Sequence, residues 1–367
     1  MNRFALGLSD RAARLLRILD AERSHDLAIR AAGAGRWQRP AAASDPRLAT
    51  GALGLAFPNP IGLAAGFDKN GAIPDAMFGL GFGFVEVGTI TPLPQQGNPQ
   101  PRMFRLAADG AVINRLGFNN LGHDRALDLL DRRANTAGIL GVNIGANRDS
   151  EDRLFDYVAG IRLFAPMAAY LTINISAPNK PGLRDLQEGG KLQELLTRTA
   201  EARAAVAEES LRRTPLLLKI APDLSDRALG EVIETAIGNR VDGLIIANTT
   251  VARPKLKSRR HGQEQGGLSG RPLFEQSTAM VARARQLAGP DLVLVGVGGV
   301  DSAGAAWSKI AAGADLVQLY TGLVFGGPSL PSRIVAGLAR RLEERNFGHI
   351  REVRGIETTR WAAGWEG

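Results

Sequence analysis

Five asparagines stand where short apolar runs of the chain end, and their side chains suit the binding of a polar ligand. They are Asn114, Asn143, Asn174, Asn179 and Asn248. A carboxamide offers a donor and an acceptor together, which fits a planar ligand whose edge alternates N–H and C=O groups. A single loop asparagine is usually a turn former. Five asparagines in equivalent positions indicate a binding site instead.

Two lysines, Lys69 and Lys219, lie near the ends of the first and fifth runs of the same kind. Burying an unpaired ammonium is costly, so a lysine at such a position is seldom structural. A fixed positive charge there would neutralise a substrate carboxylate or the charge that develops on a reduced cofactor. We therefore expect both lysines to face the ligand that the asparagines bind.

Glycine-rich turns follow the last apolar runs and suggest a phosphate site. The glycines concerned are Gly270, Gly298, Gly299 and Gly322. Such turns expose backbone N–H groups, which often hold a phosphate at the end of a parallel barrel. Turns need glycine in any case. Two of them at the expected strand ends nevertheless predict a phosphorylated cofactor.

The elements that position these residues repeat along the chain as short β-branched runs, each followed by a helical pattern. The runs lie near Ile61–Ala64, Phe84–Val87, Ile139–Ile144, Tyr170–Ile175, Leu216–Ile220, Gly243–Ala247, Leu292–Val297 and Leu316–Leu319. Eight β-then-α units predict a closed parallel (β/α)8 TIM barrel, whose site lies at the carboxyl ends of the strands. An open doubly wound sheet is the alternative, but no early GxGxxG motif supports it.

Two helices of this pattern are predicted in more detail. The longest covers roughly Lys191–Arg213, which is rich in good helix formers. Another opens within Asp223–Asp226, where aspartate and serine are available as N-caps.

Composition excludes several kinds of site. The absence of cysteine removes disulfides, thiolate metal sites and a cysteine nucleophile. The four histidines lie far apart and form no ligand pattern such as HExxH, so no metal is expected. The arginines behind the formal charge of +8 are scattered, and no zinc-finger, homeodomain-like or RNA-recognition motif occurs. Nucleic acid is therefore not an expected partner.

Residues 1 to about 45 fall outside the eightfold repeat. Apolar residues in this segment could line one side of two short helices, and arginines crowd the same stretch. An interfacial helix pair would have this pattern, and so would a capping helix packed on the barrel floor. No apolar run approaches the roughly 18 residues that span a bilayer, and the N-terminus lacks the apolar core of a secretory signal. We expect a peripheral protein on the cytoplasmic face of the cell membrane.

Longer strings in the chain closely resemble the dihydroorotate dehydrogenases of the quinone-dependent, membrane-associated class (class 2). The resemblance runs from about Asp20 to Ile334. The strings that carry it are DAERSHDLAIR, INRLGFNN, NISAPNKPGLR, KIAPDLS, ANTT and GGLSGRPL. The resemblance implies an oxidoreductase that converts dihydroorotate to orotate through FMN, with quinone as electron acceptor, in de novo pyrimidine (UMP) biosynthesis.

The resemblance also implies roles for residues at matching motif positions. FMN would contact Ala65, Gly66, Lys69, Thr89, Asn143, Asn174 and Lys219, and the backbone at Ala247, Gly270, Gly299, Tyr320 and Thr321. Dihydroorotate would contact Lys69, Asn114, Arg115, Leu116, Gly117, Phe118, Asn174, Asn179, Asn248 and Thr249. Quinone would pass His25 and Arg105. The chain would divide into a membrane and quinone extension (residues 1–45), an FMN-binding barrel (residues 46–345) and a C-terminal tail (residues 346–367).

One position departs from the family pattern. The resemblance places the catalytic residues at Lys69, Asn174 and the position before the Pro-Asn pair, where the quinone class has a serine base; here that residue is Ala177. A methyl group cannot accept a proton. The neighbouring Ser176 is a doubtful substitute, because adjacent residues of an extended segment point to opposite sides. The chain is then either a variant without its base, natural or engineered, or one in which water acts. A catalytically silent flavin-binding barrel, or a barrel for a related pyrimidine, stays open as an alternative.

Overall fold

Thirteen strands and twelve helices form the protein in a computed structural model that describes residues 3–36, 45–133, 137–178 and 182–365. The strands are β1 (Thr50–Ala52), β2 (Leu55–Phe57), β3 (Ile61–Leu63), β4 (Phe84–Ile90), β5 (Met103–Leu106), β6 (Ala111–Asn114), β7 (Ile139–Ile144), β8 (Tyr170–Asn174), β9 (Leu216–Ile220), β10 (Gly243–Ile246), β11 (Gly267–Gly270), β12 (Val293–Val297) and β13 (Leu316–Leu319). The helices are α1 (Arg3–Leu16), α2 (Ala21–Ala31), α3 (Pro74–Gly79), α4 (Gly122–Asp131), α5 (Arg153–Phe164), α6 (Gly189–Ser210), α7 (Asp226–Gly238), α8 (Phe274–Ala288), α9 (Ala303–Ala311), α10 (Thr321–Gly326), α11 (Leu330–Glu344) and α12 (Thr358–Ala362).

Eight of these strands close into a parallel barrel. Their spatial order is β3, β4, β7, β8, β9, β10, β12 and β13, and β13 pairs with β3 to complete the ring. Each strand is therefore hydrogen-bonded to its neighbours in chain order, as consecutive βα units require. The strands are buried almost throughout, because the helices cover their outer face. The predicted TIM barrel is confirmed, and each of its eight strands overlaps a predicted run.

The two helices predicted in detail are also present. α6 covers Gly189–Ser210, slightly earlier than predicted. α7 begins at Asp226, and the Ser225 hydroxyl caps it by accepting a hydrogen bond from the Ala228 N–H at 3.2 Å. Local propensity and capping therefore located both helices to within a few residues.

The N-terminal helices lie over the carboxyl ends of the barrel strands. α2 starts after Asp20, whose carboxylate accepts hydrogen bonds from two N–H groups of the first turn. Its His25 contacts Lys69, which follows β3, at 3.1 Å. The opposite end of the barrel is covered by the β1–β2 hairpin, where Phe57 packs edge-on against Phe84 at 5.3 Å between ring centroids. The alternative of a helix on the barrel floor is therefore wrong, because the hairpin occupies that place.

A second small sheet lies beside the N-terminal helices, at the carboxyl ends of the barrel strands. Strands β5, β6 and β11 pair antiparallel, with β6 in the middle. None of the eight runs predicted from the sequence includes these segments. Four residues join β5 to β6: a 3-10 turn, Ala107–Asp109, and then Gly110, which has the left-handed conformation. Asp-Gly between two short apolar segments is a hairpin signal that would have revealed the pair.

The last residues pack on the outside of the barrel. The Gly355 N–H donates to the Ile310 carbonyl at 3.0 Å, and the Glu357 N–H donates to the Ala311 carbonyl at 2.8 Å. Trp361 of α12 meets the ring of Phe274 edge-on at 5.9 Å. The segment therefore extends the helical layer through α8 and α9. Within the four described stretches of the chain, no helix is long and apolar enough to cross a membrane.

Candidate active site

A cavity of about 600 Å³ opens at the carboxyl ends of the barrel strands. Its walls come from residues at or just beyond the carboxyl ends of β3, β4, β8, β9, β10, β12 and β13. Residues of the β5–β6–β11 sheet and of α1 and α2 also line it. A volume of this size suits a cofactor together with a small substrate. The cavity lies where the active site of a parallel barrel is expected.

Most residues predicted from the sequence line this cavity. Those that do are His25, Ala65, Gly66, Lys69, Thr89, Arg105, Asn114, Leu116, Gly117, Phe118, Asn174, Ala177, Lys219, Ala247, Asn248, Thr249, Gly270, Gly299, Tyr320 and Thr321. Asn143 is fully buried one layer behind Thr89, to which it is hydrogen-bonded. The guanidinium of Arg115 is drawn away from the cavity because it pairs with Glu264 at 2.9 Å. Asn179 lies outside the described residues.

Lys69 connects the barrel to the N-terminal extension. Its Nζ lies 3.1 Å from Nε2 of His25. Burial lowers the pKa of Lys69 to about 8, although the carboxylates of Asp26 and Glu22 oppose this shift. Burial, and then the charge of Lys69, lower the pKa of His25 well below its usual value. Near neutral pH the pair therefore consists of a neutral imidazole and an ammonium that loses its proton readily.

A ladder of side-chain hydrogen bonds forms the polar wall of the cavity. The Asn174 Nδ2 group donates to the Thr89 hydroxyl at 2.9 Å, and Thr89 donates to Asn143 Oδ1 at 2.6 Å. On the other side, Asn248 Nδ2 donates to Asn174 Oδ1 at 3.3 Å. Each amide is oriented by its neighbours, so the cavity presents fixed donors and acceptors. Such an arrangement suits a planar ligand with a defined hydrogen-bond pattern.

Ala177 and Ser176 differ in what they offer to the cavity. Ala177 lines the cavity, whereas the side chain of Ser176 is fully buried. The Ser176 hydroxyl donates to Asn174 Oδ1 at 3.2 Å and accepts from Asn248 Nδ2 at 3.0 Å. The two residues therefore point in different directions, as the extended segment predicts. Ser176 orients the amides of the ladder, and the position facing the cavity carries a methyl group.

The glycine turns provide backbone donors that suit a phosphate. Gly298 and Gly299 line the cavity, and both have positive φ angles, +106° and +72°. Their N–H groups make no hydrogen bond to any residue that the structure describes. A Cβ on Gly299 would lie 2.5 Å from Cβ of Phe274, so only glycine fits. Unpaired backbone donors beside a cavity need an outside acceptor, and a phosphate group supplies one.

The charge of a buried carboxylate that sequence reasoning missed acts on Lys219. Its side chain is buried yet lines the cavity, and Nζ makes no hydrogen bond to a described residue. Burial lowers the pKa of Lys219, and the charge of Glu86 opposes that shift. Glu86 is fully buried in β4 and accepts a hydrogen bond from Asn143 Nδ2 at 2.8 Å. One acidic residue within the apolar string FVEVGTI was the sequence signal for it.

A second cationic side chain that lines the cavity, Arg105, contacts the N-terminal extension. Arg105 of β5 donates to the Ser24 hydroxyl at 3.1 Å and to the Leu19 carbonyl at 3.1 Å. These bonds hold the turn between α1 and α2 against the small sheet. On the far side of that turn, Leu15 is 66% exposed and Ile18 is 81% exposed. The extension therefore has one face on the cavity and one apolar face in solvent.

Comparison with known proteins identifies a single family. The model of the family described as "Dihydroorotate dehydrogenase" matches residues 47–342. A protein from Brucella ovis named "Dihydroorotate dehydrogenase (quinone)" is 53% identical over 352 residues, which cover 95% of this chain and 96% of that protein. A protein of the same name from Brucella anthropi is 53% identical over 349 residues, with the same coverage of both chains.

Solved structures give the same result. The crystal structure of DHODH from Eimeria tenella in complex with ferulenol superposes with a TM-score of 0.88 at 37% identity, covering 92% of this chain and 96% of that one. The ligand-free structure from the same organism gives a TM-score of 0.86 at 37% identity, covering 91% of this chain and 98% of that one. The structural similarity therefore covers more than nine tenths of the chain.

Proposed function

The chain belongs to the dihydroorotate dehydrogenase family, and from that membership we propose how its cavity carries out the reaction. The protein is an oxidoreductase of pyrimidine biosynthesis, in the quinone-linked class. We propose that the cavity holds FMN and dihydroorotate together and that quinone reaches the cofactor between α1 and α2. The observation that carries this proposal is the meeting of Lys69, the asparagine ladder and the unpaired N–H groups of Gly298 and Gly299 in one cavity.

The donor set supports FMN as the cofactor. The backbone N–H groups of Gly298 and Gly299 would hold its phosphate, with the backbone near Gly270 and Thr321 beside them. Lys219 would place an ammonium against the ring system, where two-electron reduction adds negative charge. When bound, the flavin would accept a hydride from C6 of dihydroorotate and pass two electrons on to quinone. Loss of that hydride and of the C5 proton forms the C5=C6 double bond of orotate.

The substrate would lie against the polar wall. Asn174 and Asn248 present the amide groups of the ladder, which would pair with the ring N–H and C=O groups of dihydroorotate. Lys69 would neutralise its carboxylate. Asn114, the last residue of β6, and Phe118, which follows that strand, would cover the other side of the substrate. These contacts fix the ring so that C6 faces the cofactor.

Removal of the C5 proton would lack a dedicated side-chain base. Ala177 stands at the cavity wall where the family pattern has serine, and the Ser176 hydroxyl is committed to Asn174 and Asn248. We propose that a water molecule or hydroxide takes the proton and that flavin reduction is therefore slow. Binding of cofactor and substrate does not depend on this position.

The N-terminal segment would deliver quinone. We propose that residues 1–45 form a membrane and quinone extension, that residues 46–345 form the catalytic barrel, and that residues 346–367 are an accessory tail. The exposed apolar side chains Leu15 and Ile18 would insert into the membrane interface, and Arg11 and Arg14 beside them would favour anionic lipid. His25 and Arg105 would line the passage from that surface to the cofactor. The protein would then sit peripherally on the cytoplasmic membrane face.

Anaerobic addition of dihydroorotate to the purified holoprotein tests this function. The flavin absorption band should bleach, and later addition of a soluble quinone should restore it. Dihydrouracil and dihydrouridine serve as matched controls, because they lack the carboxylate that Lys69 would bind. A flavin band that dihydroorotate leaves unchanged over hours, or that the controls bleach equally well, would refute the proposal.

A further inference from the structure

Glu86 is a buried carboxylate inside the barrel, below the floor of the cavity. It lies in β4 with none of its surface exposed. The interior of such a barrel is usually filled by branched apolar side chains. Here Glu86 Oε2 accepts hydrogen bonds from Gln318 Nε2 at 2.9 Å, Tyr170 Oη at 3.1 Å and Thr172 Oγ1 at 3.2 Å. Together with Asn143 at Oε1, this gives four donors, the set that stabilises an ionised carboxylate.

The charge of Glu86 dictates the direction of the hydrogen bonds above it. An ionised carboxylate only accepts, so Asn143 must turn its Nδ2 group toward Glu86. The Oδ1 atom of Asn143 then faces Thr89 and accepts its hydroxyl proton at 2.6 Å. The lone pairs of Thr89 are left to accept from Asn174 Nδ2 at 2.9 Å.

The same logic reaches the residues that line the cavity. Because Asn174 gives its Nδ2 group to Thr89, its Oδ1 atom accepts from Ser176 at 3.2 Å and from Asn248 at 3.3 Å. The amide orientations of Asn174 and Asn248 are therefore set by a carboxylate three hydrogen bonds away from Asn174. A neutral side chain in place of Glu86 could donate or accept, and this would remove the constraint.

Glu86 also acts on Lys219 through its charge. Lys219 of β9 lies in register with Asn174 of β8 and Ile245 of β10, and its Nζ has no hydrogen-bond partner among the described residues. The charge of Glu86 acts on Lys219 and favours its protonated form. Tyr170, at the same carboxylate, keeps its proton because burial and Glu86 raise its pKa well above the usual value. Glu86 therefore supplies negative charge that opposes the effect of burial on Lys219.

We propose that Glu86 is a positioning residue that fixes the hydrogen-bond polarity of the substrate wall and sets the charge balance under the flavin. This proposal rests on the proposed function and names the residue that prepares the same site for its ligands. An interior carboxylate with a purely structural role would affect the stability of the barrel. A positioning role would also change ligand affinity and the redox potential of the flavin, in separable ways.

The substitution Glu86→Gln in the holoprotein separates these roles, because it keeps the shape and removes the charge. Orotate affinity, measured from its perturbation of the flavin spectrum, should fall by about tenfold or more, because a reoriented amide leaves a buried donor or acceptor unpaired. The flavin midpoint potential should become more positive, since a negative charge near the site of reduction is lost. A tenfold gain in the reduced form corresponds to about 30 mV for a two-electron couple.

Two further variants serve as controls. Tyr170→Phe removes one hydrogen bond from the same carboxylate and keeps its charge, so the midpoint potential should stay at the wild-type value. Glu86→Asp also keeps the charge but withdraws the carboxylate from Asn143, so orotate affinity should fall while the potential stays unchanged. Thermal unfolding and flavin content are measured for all three, and Glu86→Asp alone still tests the proposal if the glutamine variant does not fold.

The outcomes are distinct. Wild-type potential and wild-type orotate affinity in Glu86→Gln would overturn the proposal, as would an equal shift of the potential in Tyr170→Phe. If Glu86→Asp binds orotate as well as the wild type, the directional role of the ladder is refuted. Failure of the wild-type holoprotein itself to bind orotate would instead refute the proposed function, without bearing on Glu86.

Discussion

Restoring a hydroxyl at the cavity wall should accelerate flavin reduction, and Ala177→Ser makes this change. Ala177 lines the cavity and is only 8% exposed. A serine there adds one oxygen on the cavity side, whereas Ser176 points into the ladder and donates to Asn174. The change therefore introduces a proton acceptor without disturbing the residues that hold the substrate.

The expected gain follows from the usual contribution of a general base. Such a base typically accelerates proton transfer by about a hundred- to ten-thousand-fold, or roughly 3 to 5 kcal/mol of barrier. In the alanine form, water or hydroxide takes the C5 proton, so the rate of flavin reduction should climb with pH. The affinity for dihydroorotate should change little, because Asn174 and Asn248 are unaltered.

Stopped-flow reduction of the flavin by dihydroorotate, without oxygen and across a range of pH, measures both effects. Ser176→Ala is the matched control and should change dihydroorotate affinity more than the pH dependence, because Ser176 hydrogen-bonds Asn174 and Asn248. If Ala177→Ser is no faster than the alanine form, the role assigned to this position is wrong. If Ser176→Ala abolishes reduction without weakening binding, Ser176 is the base.

Three further predictions concern the cofactor, the ammonium of Lys69 that would bind the substrate, and the exposed apolar residues of the N-terminal extension. The purified protein should be yellow and release FMN on denaturation, and release of the dinucleotide or a colourless protein that cannot be reconstituted would exclude this. Orotate affinity should be constant well below pH 8 and weaken above it, because the lowered pKa of Lys69 means that its ammonium loses its proton there. Orotate titrations across pH should show this change in affinity, and Lys69→Gln should bind orotate weakly at every pH, without the change near pH 8. The pair Leu15→Ser and Ile18→Ser should reduce liposome binding and use of long-chain quinone while anaerobic flavin reduction stays unchanged; equal loss of both would show a structural role.

The sequence predicted the barrel well because its signals are local and repeated. Each barrel strand is a short apolar run buried on both faces, and each is followed by a helix, so the eightfold pattern was readable directly. The N-cap Ser225 is also a local signal, since its side chain bonds to the first turn of the helix that directly follows it, α7. The small sheet was missed because each of its strands has only four residues and β11 lies more than 150 residues from its partner β6.

The candidate site was predicted in part. Residues at or after strand ends, such as Asn174 and Lys69, could be placed because the carboxyl ends of a parallel barrel meet at one end. Side-chain direction could not be predicted in the same way. Arg115 matches a position of the family motif, yet its guanidinium pairs with Glu264 and turns away from the cavity. This direction could not be predicted, because Glu264 belongs to a loop that is distant in the sequence. Glu86 was missed since its role depends on partners in β7, β8 and β13, which no local pattern connects.

The contact between His25 and Lys69 bears on how the two half-reactions are arranged. Lys69 would bind the substrate, and His25 belongs to the helix that would guide quinone, yet their nitrogen atoms lie 3.1 Å apart. Glu22 of the same helix pairs with Arg102 at 2.6 Å, which ties α2 to the segment before β5. Removing the whole extension would therefore expose Lys69 to water and raise its pKa toward the usual value. Truncation would alter the substrate site and the quinone site together, so only substitutions on the outer face, such as those at Leu15 and Ile18, separate the two half-reactions.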